Sequence, residues 1–194
     1  MSQRASGFAR RPNEDYATPA WVAAAIAAYL RRAHVTDVWE PAAGEGALAA
    51  ALIAQGFRTV ATGRDFLQAA APPDPDIDAI VTNPPYGEDR RGLLACSFIR
   101  HALALDVRIV AMLLRVDFDS GKTRRDIFAD CPAFAGKIVL LDRIKWFPGE
   151  SGPSDNHAWF VWDRDPPLYD ATGRGWTHQR DRPAPWIAYA EAAP

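Results

Sequence analysis

The sequence predicts an α/β fold, a doubly wound, mostly parallel sheet with helices on both faces and an antiparallel strand pair at its C-terminal edge. Three observations predict it. Short apolar runs of strand type alternate with alanine- and leucine-rich runs of helical spacing over residues 19–114. Two of the strand-type runs end in unusual turns, 40–46 and 83–87, which in such a sheet lie beyond the carboxyl ends of the strands. Near the end, runs 138–141 and 158–162 have no helical run between them, which suits an antiparallel pair.

Residues 1–13 carry Arg4, Arg10 and Arg11 with no acid before Glu14 and read as a loose arm. The run 19–34 is alanine-rich and free of glycine, with Trp21, Ile26, Tyr29 and Leu30 spaced for one helix face. Thr18 is expected as its N-cap and Pro19 as its first helical residue. A strand over 35–40, a helix over 47–55 stopped by Gly56, and a strand over 57–62 follow. After the Pro72, Pro73 and Pro75 loop comes a strand over 78–82, ended by prolines that forbid further pairing. A helix over 93–105 and a fully apolar strand over 107–114 complete the alternation. Residues 146–156 are rich in Pro, Gly and Ser and read as a surface loop. Prolines after Asp163 make 165–194 an irregular tail. The chain of 194 residues is expected to form a single domain.

Composition narrows the function. A net charge of -2 excludes a generally basic nucleic-acid coat, so any phosphate contact must come from a local patch. Two cysteines, Cys96 and Cys131, cannot make a disulfide framework, and the four histidines have no metal-ligand spacing, so no metal is expected. No apolar run approaches a membrane span and the arginine-bearing start lacks a leader-type apolar stretch; the expectation is a soluble, cytoplasmic protein.

The turns carry the chemistry. Gly44 and Gly46 stand after a strand and before a helix, where glycine permits close backbone approach and a helix start offers free N–H groups. The same two glycines also suit a plain tight turn; no Walker lysine follows, and the third glycine of a dinucleotide loop is absent. The second turn, Asn83-Pro84-Pro85-Tyr86, places an amide oxygen, a rigid carbonyl and an aromatic face at one strand end. Two such oxygens can each accept a hydrogen of a conjugated amine, drawing its nitrogen towards tetrahedral geometry and localising its lone pair for attack. A stacked tyrosine would hold the ring in line with an electrophile.

In these residues the sequence resembles the amino-methyltransferases of the class I S-adenosylmethionine-dependent fold, most closely the DNA adenine-N6 methyltransferases of NPPY type. The matching stretches are 16–19 (YATP), 40–46 (EPAAGEG), 65–67 (DFL) and 78–86 (DAIVTNPPY), in the family's order. The resemblance implies a Rossmann-like sheet, S-adenosylmethionine as cofactor, and methyl transfer to adenine N6 in DNA. It implies that Tyr16, Thr18 and Pro19 cover the methionine end of the cofactor. Glu40, Pro41, Ala42, Gly44 and Gly46 would cradle its amino-acid and ribose portion. Asp65 and Phe66 would flank its adenine, and Asn83, Pro84, Pro85 and Tyr86 would form the catalytic loop on a flipped base, Asn83 also bordering the cofactor. Protein-glutamine and ribosomal-RNA methyltransferases share the motif, so RNA adenine or a glutamine amide is the alternative acceptor. A third alternative is a non-catalytic binding module, because 57–67 compresses two acidic motifs of the family into one and leaves only Asp65.

The tail is too short for a separate target-recognition domain, so target specificity would call for a protein partner or a short insertion. Arg115, Lys122, Arg124 and Arg125 outnumber Asp117 and Asp119 beside the expected site. Lys122, Arg124 and Arg125, with Arg90 and Arg91, are the candidate nucleic-acid contacts. Trp159 and Trp162 fall in an expected strand and read as packing.

Overall fold

The computed structural model describes residues 17–63, 66–85, 92–146, 155–166 and 186–192. In chain order they form α1 (Ala20–Arg32), β1 (Asp37–Glu40), α2 (Ala47–Ala54), β2 (Arg58–Ala61), β3 (Ala79–Thr82), α3 (Leu93–Ala104), β4 (Ile109–Arg115), β5 (Phe134–Leu140), β6 (His157–Asp163) and β7 (Trp186–Ala190). Two short 3-10 turns, Phe66–Gln68 and Lys122–Ile127, join them. The strands make one sheet in the order β2-β1-β3-β4-β6-β5-β7. Strands β1 to β4 pair in parallel, and β6 runs antiparallel to both β4 and β5.

Alternation along each strand builds two cores, because successive side chains point to opposite faces. Val38, Ala79, Val81, Ile109, Ala111, Leu113, Trp159 and Val161 face α1 and α2. Trp39, Ile80, Val110, Met112, Leu114, Phe160 and Trp162 face α3 and the two 3-10 turns. The large tryptophans pack as expected, and burial obliges each indole N–H to find an acceptor. Trp159 Nε1 donates to the Val22 carbonyl at 2.8 Å and Trp162 Nε1 to the Ile127 carbonyl at 2.6 Å.

The structure departs from the sequence reading at three places. Helix α1 starts one residue later than expected, with Pro19 in the capping position and no side-chain cap; the buried Thr18 points elsewhere. It ends with Arg31 and Arg32 in the last turn, where cations oppose the helix dipole, and His34 at φ 57° turns the chain away. Strand β5 begins at Phe134, before the apolar run that marked it, because Lys137 lays its ammonium on Asp119 at 2.6 Å and does not interrupt the pairing. The stretch 165–194 is not irregular throughout: β7 pairs in parallel outside β5, so the antiparallel β5–β6 pair is internal and not the sheet's edge. Gly136 makes that addition possible. A Cβ there would lie 2.2 Å from the Trp186 carbonyl oxygen, and the Trp186 ring stacks on Tyr29 at 5.2 Å.

Candidate functional site

The strand order fixes where a ligand can bind. The chain runs from β1 outward to β2, then returns to place β3 on the other side of β1. The carboxyl ends of β1 and β3 therefore border the point where the winding reverses, the place at which open α/β sheets bind ligands. Glu40 ends β1 and Thr82 ends β3, followed directly by Asn83.

Glu40 is buried, with 1% of its surface exposed. Its Oε1 accepts from Thr82 Oγ1 at 2.5 Å and from the Ala42 N–H at 3.0 Å. Its Oε2 is buried and accepts from nothing. Desolvation dominates these two hydrogen bonds and raises the carboxyl pKa from 4.5 to about 8. The turn after it is tight: the Gly46 N–H donates to the Ala43 carbonyl at 2.7 Å, and the Ala43 N–H donates to the Thr62 carbonyl at 3.0 Å. Gly46 caps α2 at φ 83°, a conformation that L side chains rarely adopt. Gly44 is exposed, Ala42 half-buried and Pro41 buried.

On the neighbouring strand end, Asn83 Nδ2 donates to Thr18 Oγ1 at 3.3 Å. Asn83 Oδ1 is buried without a partner. Pro84 is buried and Pro85 half-buried, so the two prolines hold the turn against the sheet. Two buried oxygens without a hydrogen-bond partner at adjacent strand ends are a costly arrangement for folding alone, and an ammonium group brought to Glu40 would favour its ionised form. They fit a ligand that brings its own N–H groups. A carboxylate oxygen suits an ammonium group, and an amide oxygen suits an amine hydrogen. The site thus fits a cofactor bearing an amino-acid end.

Other expected site residues fall differently. Tyr16, Asp65, Tyr86, Arg90 and Arg91 lie outside the described residues. Phe66, expected beside the cofactor adenine, is 2% exposed and packs in the core against Trp39, Phe98 and His101, with ring centroids at 5.2, 5.1 and 4.8 Å. Among the cations, Arg124 donates to the Phe118 carbonyl at 2.7 Å and lies over the Phe118 ring at 3.9 Å. Arg125 pairs with Asp130 at 2.8 Å, while Lys122 is exposed. His157, one of the four histidines without metal-ligand spacing, starts β6 opposite Arg115 at the same sheet edge. It is buried, its Nδ1 has no partner, and desolvation lowers its pKa from 6.5 to about 4. Its ring meets Trp146 edge-on at 5.4 Å. A strand-start histidine carries no sequence signal that sets it apart. A recess of about 560 Å³ between α1 and β7, lined by Trp21, Tyr29, Ile138 and Tyr189, lies apart from this site and contains none of its residues.

No protein-family model matches the sequence, and no curated protein sequence matches it. Solved structures do match. A Listeria monocytogenes structure described as a class I S-adenosylmethionine-dependent methyltransferase superposes with a TM-score of 0.60 at 12% identity, over 95% of this chain and 68% of that one. The fold is that of the class I methyltransferases. The type IIG restriction endonuclease BpuSI matches with a TM-score of 0.53 at 12% identity, over 79% of this chain but only 26% of its own. The modification subunit of a type I restriction enzyme from Vibrio vulnificus matches at 0.50 and 11% identity, over 79% of this chain and 45% of its own. This chain therefore spans about a quarter of the former and under half of the latter. In the methyltransferase frame, Glu40 and Asn83 stand at the ends of the two strands that flank the winding reversal. No helix among the described residues is long and apolar enough to cross a membrane.

Proposed function

We propose that this protein is an S-adenosylmethionine-dependent methyltransferase acting on an exocyclic amine, and that its acceptor is adenine N6 in DNA. The observation that carries the reading is the buried, unpartnered Asn83 Oδ1 at the switch point, inside an Asn-Pro-Pro-Tyr turn. Glu40 Oε2 and the turn through Gly44 and Gly46 would hold the amino-acid end of the cofactor. When bound, the cofactor supplies an electrophilic methyl group on its sulfonium.

The residues of the chain then do the rest by position and charge. Asn83 Oδ1 accepts one hydrogen of the target amine, and the Pro84 carbonyl is placed by its sequence position to accept the other. As the nitrogen becomes cationic these two acceptors hold it more strongly than they hold the planar ground state, which favours the transition state. Prolines at 84 and 85 restrict the backbone that carries both oxygens, so little reorganisation accompanies the reaction. No general base precedes transfer, and the surplus proton leaves the product amine afterwards. The resemblance gives Tyr86 the face on which the flipped base stacks; a duplex substrate requires that flip, since its amine is otherwise paired. The restriction and modification proteins among the structural matches support DNA as the acceptor and a protein partner as the source of target specificity.

The test is transfer of a labelled methyl group to DNA, RNA and protein acceptors, with Asn83→Ala beside the natural protein. The expected result is labelling of adenine in DNA, and a loss of about 1000-fold or more in the variant. Affinity for the demethylated cofactor product, read by calorimetry, should move little. Equal loss of binding and transfer would overturn the role of Asn83. Labelling of RNA or of a glutamine amide would keep the chemistry and change the substrate, and absence of any cofactor binding would leave a binding module.

A further inference from the structure

The Asn83 amide has two ends, and only one of them can accept a hydrogen from an amine. Thr18 stands 65 residues away in sequence, is 5% exposed, and takes the Asn83 Nδ2 hydrogen on its Oγ1. We propose that Thr18 is a positioning residue that fixes which end of the Asn83 amide faces the target amine. The inference rests on the amino-methyltransferase reading and assigns the part of the site that orients its acceptor.

A threonine hydroxyl can accept or donate, so the hydrogen bond by itself would serve either orientation. The surroundings decide between them. With Nδ2 on Thr18, the atom left buried and unpartnered is a carbonyl oxygen. With the amide turned over, the same buried position would hold an NH2 group with both hydrogens unpaired, and buried N–H groups without acceptors are the rarer and more costly case. A turned amide would also present donors to a donor. The site's two threonine hydroxyls therefore work in opposite senses: Thr82 Oγ1 donates to Glu40 Oε1, and Thr18 Oγ1 accepts from Asn83.

The backbone supports the same division. Thr18 precedes Pro19 and Asn83 precedes Pro84. A following proline restricts a residue to extended conformations, so both ends of this hydrogen bond sit on constrained backbone. Pro19 itself takes the capping position of α1 in extended conformation, at φ -62° and ψ 150°. This explains why a threonine that reads as a helix cap makes no cap hydrogen bond.

The test uses Thr18→Val, which keeps the shape and removes the hydroxyl, and Thr18→Ser, which restores it. The expected result is a fall in kcat at saturating cofactor of about 10- to 100-fold for Thr18→Val, with the acceptor KM within about 3-fold. Thr18→Ser should return kcat to within about 3-fold of the natural protein. In an Asn83→Asp background both terminal atoms accept, orientation ceases to matter, and Thr18→Val should then cost less than about 2-fold. Unchanged kcat at saturating cofactor in Thr18→Val, or a loss that Thr18→Ser does not restore, would overturn the proposal while leaving the methyltransferase reading intact. If the natural protein labels no acceptor, that reading fails, and the contact is judged by NMR. Cross-relaxation between the Asn83 side-chain amide protons and the Thr18 methyl group supports the assigned orientation, and its absence overturns it.

Discussion

The sheet buries a carboxyl group at each end, and the two are treated in opposite ways. At the end opposite the candidate site, Asp163 closes β6 and both its oxygens are used. Oδ2 accepts from Tyr29 Oη at 2.8 Å; Oδ1 accepts from Arg108 Nε at 3.2 Å and from the Asp165 N–H at 2.8 Å. Arg108 also donates to the Ala33 carbonyl at 2.8 Å, so one buried carboxylate ties α1, the start of β4 and the end of β6 together. At the carboxyl end Glu40 has two donors on one oxygen and none on the other, and no ion pair joins it to a described residue. Asn83 repeats the pattern with its amide. The difference teaches how to tell structure from site. On the proposed reading, Asp163 serves the fold and is saturated, whereas Glu40 and Asn83 are left short of partners, at a cost in stability that a ligand would offset.

The largest effect should come from breaking the saturated end. Asp163→Ala leaves the Arg108 guanidinium and the Tyr29 hydroxyl without their shared acceptor, and should cost about 3 kcal/mol in urea unfolding. Cofactor-product affinity of the folded variant should be unchanged.

Glu40→Gln should do the reverse. Because burial raises the Glu40 pKa from 4.5 to about 8, the unfolded chain loses this proton at a lower pH than the folded one. Its contribution to stability is fully present below pH 4.5 and is lost as pH rises towards 8, by about 1.4 kcal/mol per pH unit inside that window. Glu40→Gln removes that slope. Its amide leaves hydrogens unpaired, so the net gain at pH 7 should be about 2 kcal/mol in place of the full integral. Cofactor-product binding should weaken by about 10-fold or more. A Gln variant that loses stability at pH 7 would erase the contrast between the two ends.

The smallest effect concerns the cations. Arg125 pairs with Asp130 in the open, and Arg125→Ala should leave the salt dependence of DNA affinity unchanged, whereas Lys122→Ala should reduce the slope of log K against log salt by about one. Equal effects would mean that the Arg125–Asp130 pair opens on the nucleic acid.

Much of the fold is legible because apolar periodicity is local. The alternation in 109–114 and 158–162 appears in the chain as continuous apolar runs, and the sheet sorts each run onto its two faces. Strand β7 escaped because Pro183 and Pro185 stand just before it, and its five residues pair only once Trp186 finds Gly136 and Tyr29. The motif 40–46 and the turn 83–85 are legible as turns at strand ends, since glycine and proline announce backbone shape wherever they stand.

By itself, then, the sequence determined the order of elements from α1 to β6, the two turns at the carboxyl edge and the residue types that suit amine chemistry there. Tertiary structure decided the partners. It set the Thr18 hydroxyl against Asn83 and not on the α1 cap, sank Phe66 into the core, engaged Arg124 and Arg125 within the protein, and joined Tyr29 to Asp163 across 134 residues. The physical reason is range. Propensity and periodicity act over a few residues and are written into the chain. Which donor meets which acceptor depends on elements brought together only by packing, and desolvation there decides whether an unpaired oxygen is a fault or a binding site.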